Sequence, residues 1–70
     1  MMLAEAEHVL RTLLIAEHRD KSLSQMAEML QVGKATVGRL INGEVTPSPQ
    51  TIERLLDILG YKIEVVISPR

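Results

Sequence analysis

No cysteine, tryptophan or phenylalanine occurs among the 70 residues, and Tyr61 is the one aromatic residue. The missing thiols exclude disulfide staples, a thiolate nucleophile and any cysteine-based zinc site. The missing aromatics leave a core of Leu, Ile, Val, Met and Ala. Long apolar runs are lacking too: none approaches the roughly 20 residues that span a bilayer. Glu5 and Glu7 stand where a secretory signal would carry basic residues. The expectation is a soluble cytoplasmic chain without a membrane partner. An excess of positive charge is also missing, since the formal net charge is −1.

Apolar residues are plentiful at 46%. Seventy residues suit one small domain over 1–70, near the lower limit for a core that folds alone. A chain this short without staples often gains stability by associating with a copy of itself. Its charges are unevenly placed. Between His18 and Gly43 lie the cations Arg19, Lys21, Lys34 and Arg39 against the acids Asp20 and Glu28. The other acids fall in the first and last parts of the chain.

Periodicity divides the chain into helices. Ala6, Leu10, Leu13 and Leu14 recur at helical spacing from Leu3 to about His18. Ser22 opens a second helix, and Gln25 three residues later completes a capping box. Met26, Ala27, Met29 and Leu30 form its apolar side. Gln31 to Gly33 is a short turn before a third helix from Lys34 to about Asn42, where Gly43 stops it. Ser48 and Pro49 have the chemistry of an N-cap and first helical position for a fourth, which carries Ile52, Leu55, Leu56 and Leu59 and ends at Gly60. From Tyr61 the period changes. Tyr61, Ile63, Val65 and Ile67 alternate with Lys62, Glu64, Val66 and Ser68, which predicts a strand over 61–67.

Two short helices joined by a tight turn suit duplex DNA, because the second can enter a major groove while the first braces it. The pair needs a small residue where the helices cross, and Ala27 supplies it. Met26, Leu30, Val32, Val37 and Leu40 are spaced to lock the helices together. At 100° per residue, Ala35, Gly38, Arg39 and Asn42 then lie opposite Val37, Leu40 and Ile41, with Lys34 at the flank. Arg39 can donate two hydrogen bonds to a guanine edge, Lys34 can reach a base or phosphate, and Ala35 can meet a thymine methyl. Gly38 costs its helix roughly 1 kcal/mol relative to alanine, which close approach of backbone to DNA would explain.

The stretch SLSQMAEMLQVGKATVGRLING over 22–43 resembles the Xre/Cro-type, lambda-repressor-like helix-turn-helix family, and PSPQTIERLLDILG over 47–60 resembles that family's following helix. The ending LGYKIEVVI over 59–67 is similar to members with a C-terminal strand, including HipB-like antitoxins. The chain departs from the usual pattern at Gln31, where glycine is frequent, at Gly33, where a serine or threonine cap is frequent, and at Leu23, where a glutamine often contacts phosphate. The resemblance implies that Lys34, Ala35, Gly38 and Arg39 reach base edges and that Thr36 touches phosphate, with Asn42 and Gly43 in their family places. It implies a mainly α, four-helix DNA-binding fold with one C-terminal strand. A lone strand needs partners for its backbone groups and no other segment reads as one, so the expectation is pairing with its copy across a homodimer through Tyr61, Ile63, Val65 and Ile67. The function expected is a sequence-specific transcriptional regulator, a repressor on a palindromic operator. The alternative is an antitoxin-like protein that neutralises a partner toxin and regulates its own operon.

Catalysis is not expected. His8 and His18 stand ten residues apart, beyond the spacing of a helical metal pair, and no Ser-His-acid set or phosphate-cradling glycine loop is present. No cofactor is expected either.

Overall fold

The computed structural model describes residues 1–66. They form four α-helices: α1 (Leu3–His18), α2 (Leu23–Leu30), α3 (Lys34–Asn42) and α4 (Pro49–Ile58). The helix starts follow local chemistry. The Ser22 hydroxyl accepts from the Gln25 amide at 3.1 Å, while the Ser22 amide donates to the Gln25 side chain at 2.8 Å. The Ser48 hydroxyl accepts from the Thr51 amide at 3.2 Å, two residues beyond the proline of the first turn. At α1 the Met2 amide donates to Glu5 at 3.2 Å, and that carboxylate also complements the positive end of the helix dipole.

Three helices end in the same way. A residue with positive φ closes the helix end, its amide bonds back to one carbonyl, and the next amide reaches the carbonyl one residue earlier. After α4 this residue is Gly60 (φ 97°), with Tyr61 N–H on the Leu56 carbonyl at 2.8 Å. After α3 it is Gly43 (φ 74°), with Glu44 N–H on the Arg39 carbonyl at 2.9 Å. After α2 it is Gln31 (φ 60°), with Val32 N–H on the Ala27 carbonyl at 3.1 Å. Among the described residues Gln31 is the one non-glycine at positive φ. Two arginines complete the helix ends from a distance. Arg11 Nε donates to the Ile41 carbonyl at 2.8 Å, and Arg54 Nη1 donates to the Leu30 carbonyl at 3.1 Å. Each places a cation at the negative end of a helix.

The core joins all four helices. Ala6, Leu10 and Leu14 of α1, Met26 and Leu30 of α2, Val37 and Leu40 of α3, and Ile52, Leu55 and Leu56 of α4 are buried. Leu13 and Leu59, expected at the centre, are half-buried and pack around it. Leu13 and Leu14 lie 100° apart on one stripe, and Leu14 is the one sealed inside. Ala6 is buried without a large side chain, which lets α1 approach its neighbours closely.

The C-terminal segment departs from expectation. No strand forms among the described residues. A single parallel bridge joins Met2 to Val66, with the Val66 amide on the Met1 carbonyl at 2.7 Å and the Leu3 amide on the Val66 carbonyl at 3.2 Å. The reason is geometric: beyond Met1 and Met2 the partner chain turns into α1, so no length of extended backbone is on offer. Val65 is buried in the core and Ile63 packs half-buried against it, as the alternation predicts. Tyr61 does not cover the helices; it stands 46% exposed beside the Gly60 turn. Ile67 lies outside the described residues. Lys62 bonds Asp57 at 2.8 Å, which holds its ammonium above its ordinary pKa. The Val65 amide donates to the Glu53 carboxylate at 2.7 Å.

Left-handed backbone costs an ordinary residue about 1–2 kcal/mol, a cost that glycine avoids at the expense of a freer unfolded chain. Gln31→Gly is therefore expected to stabilise the protein by up to about 1 kcal/mol. Urea titration checks this, and a lower midpoint would contradict the account of the turn.

Candidate nucleic-acid interface

The site begins with the packing of α2 on α3. Met26 and Leu30 meet Val37 and Leu40 in the core, with Ala27 and Val32 half-buried beside them. Those contacts use up one side of α3. Lys34, Ala35, Arg39 and Asn42 emerge exposed on the other side, and Thr36 and Gly38 lie half-exposed between the two. The six residues expected to meet DNA thus share one short helix, with Thr36 and Gly38 at the margin of its open face.

Gly33 holds the first position with extended backbone (φ −72°) and offers no side-chain cap to the amides that start α3. A β-carbon on Gly38 would meet nothing within 4 Å. Packing within the chain therefore does not call for glycine there, and the cost of Gly38 to the helix has no internal compensation. At the far end, Asn42 Nδ2 donates to Glu44 Oε2 at 3.3 Å.

The cations divide into two groups. Lys21 is paired with Glu17 at 2.7 Å, which holds its ammonium above the ordinary lysine value, and Lys62 is paired with Asp57. Arg11 and Arg54 are attached to helix carbonyls. Among the described residues the side chains of Arg19, Lys34 and Arg39 make no hydrogen bond or ion pair, and two of these three are on the open face of α3.

Residues 10–66 match the family model described as helix-turn-helix. The chain belongs to this Xre-like helix-turn-helix family. No curated protein and no solved structure matches it. A helix-turn-helix protein of this kind is a DNA-binding regulator, and the family is not one of enzymes. In its terms α2 is the bracing helix and α3 the recognition helix, and the departure at Gln31 is absorbed by a left-handed glutamine in the place of the usual glycine.

The remaining candidates fall outside the interface. His8 and His18 are exposed, with His18 Nδ1 at 2.9 Å from the Lys21 carbonyl oxygen. Among the described residues no group of three or more His, Asp or Glu is arranged to hold a metal, and no helix is long and apolar enough to cross a membrane. Sequence reasoning missed Arg11 and Glu44 as neighbours of the recognition helix. Arg11 lies 30 residues from its carbonyl partner and carries no local signal. Glu44 sits two residues beyond Asn42, just past the helix end.

Gly38→Ala separates the needs of the fold from those of binding. An interior alanine should stabilise the helix by about 0.5–1 kcal/mol, while its methyl stands at the margin of the open face expected to meet DNA. The expected outcome is a higher melting temperature together with weaker DNA binding in fluorescence anisotropy. Equal or better binding by the variant would show that backbone approach at Gly38 is unimportant.

Proposed function

We propose that this protein is a cytoplasmic repressor that binds a palindromic operator as a homodimer. The observation that carries the reading is the open face of α3, where Lys34 and Arg39 are exposed and without partners while the opposite face is locked into the core. Arg39 then serves base recognition through paired donors to a guanine, Lys34 meets phosphate or a base, and Ala35 offers a methyl-sized contact to thymine. Thr36 and Asn42 flank these contacts toward the backbone. Gly38 lets the helix lie close.

Two observations support self-association through the C-terminal segment. Met1, Met2, Tyr61 and Val66 are exposed large apolar residues, and Met2 and Val66 are joined by the bridge. The bridge also leaves most of the extended 61–66 segment without a backbone partner, a state that a second chain relieves. A two-fold axis through antiparallel 61–67 segments sets two recognition helices about 34 Å apart, the repeat of successive major grooves. Ile63 and Val65 face inward in that arrangement; Tyr61 and Ile67 extend the contact. A toxin bound stoichiometrically in the native host would mark the antitoxin role instead.

Selection from random duplexes tests the reading. The expected product is a palindrome with half-sites one helical turn apart, and an unenriched pool overturns the reading. On the selected site Arg39→Ala should lose about 1–3 kcal/mol and relax one base position per half-site. For the dimer, Val66→Glu places a charge on an exposed apolar side chain at the bridge without touching the core. Light scattering at micromolar concentration should show a dimer for the native chain and a monomer for the variant, and a native monomer would refute the pairing.

A further inference from the structure

Arg11 belongs to α1, outside the two helices that make the DNA-binding unit, yet its head group ends at the recognition helix. Its Nε is fixed on the Ile41 carbonyl at 2.8 Å, and a β-carbon on Gly43 would lie 3.3 Å from the centre of its guanidinium. The group is thus held flat against the end of α3, next to exposed Asn42. Nε accounts for one of the N–H groups in the fork, and among the described residues the rest have no partner. Glu7, one turn back on α1, lines the same recess together with His8, Thr46 and Pro47, but makes no ion pair with Arg11. The result is an exposed cation whose orientation is fixed by its carbonyl bond and whose Nη groups remain free.

We propose that Arg11 is a phosphate clamp that holds the DNA backbone where it passes the C-terminal end of α3. The proposal rests on the DNA-binding reading above and extends the interface to a third helix. A guanidinium presents parallel N–H groups that match phosphate oxygens, and one already immobilised loses little side-chain entropy on binding. The carbonyl bond orients the group, and the free Nη edge makes the contact.

Glutamine separates the two roles. Its Nε2 lies at the same point along the side chain as the arginine Nε, so Arg11→Gln can keep the Ile41 bond while removing the charge and the Nη edge. Binding to the selected operator is measured against salt concentration, with thermal melts alongside. The expected result is a nearly unchanged melting temperature and a salt slope shallower by about 0.9 for each copy of the chain on the duplex. Arg11→Lys keeps the charge but loses the Nε bond, and should retain the native slope with a lower melting temperature. A native slope in a folded Arg11→Gln protein overturns the clamp, as does a slope that falls equally in both variants. Failure of the native chain to bind any duplex overturns the DNA-binding reading itself, whereas native binding with an unaltered slope in the variant overturns the clamp alone.

Discussion

The left-handed turn at Gln31 fixes everything downstream of α2. Three residues separate α2 from α3, too few to adjust the angle between them, so the backbone at Gln31 (φ 60°, ψ 43°) sets the direction of the recognition helix. Val32 N–H reaches back to Ala27 while the Val32 side chain packs half-buried against the core, so the turn is held by backbone and side chain together. Arg54 adds a bond from α4 to the Leu30 carbonyl, which ties the end of α2 to the last helix. With that angle fixed, Val37 and Leu40 must face inward, and Lys34, Ala35, Arg39 and Asn42 must face out. The open face is therefore a consequence of the turn.

The helix ends were legible because their chemistry is local. Ser22 with Gln25, Ser48 with Pro49, Gly43 and Gly60 each solve the problem of unsatisfied backbone groups within a few residues. The face of α3 was legible for the same reason: a helix has one period, and three apolar residues settle which side is buried. Choices between neighbours were harder. Leu13 and Leu14 share a stripe, and which is sealed depends on helices distant in sequence. Arg11 and Arg54 were invisible as caps, since their carbonyl partners lie 30 and 24 residues away.

The C-terminal segment shows where a period of two stops being sufficient. Alternation over 61–67 correctly puts Val65 in the core and Ile63 against it, because one face of an extended segment lies on the helices. It does not supply a partner for the backbone. Met1 to Leu3 provide one bridge, then enter α1, and the Glu53 carboxylate takes the Val65 amide on the other side. Tyr61 breaks the pattern because Gly60 turns the chain sharply at that point, and its amide is committed to closing α4. A β-like sequence becomes a strand only where a second backbone runs beside it.

A net charge of −1 looks unsuited to a polyanion, yet attraction depends on which charges are free at the surface. Glu17 and Asp57 are neutralised by Lys21 and Lys62, while Glu5 and Glu53 accept from backbone amides. Those four acids are thus engaged with partners on the surface of their own chain. On the recognition face the balance is reversed: Lys34 and Arg39 are open, and Glu44 is the nearby acid, engaged with Asn42. Few free cations mean few phosphates neutralised, hence a small release of counterions and a modest affinity for unspecified sequence.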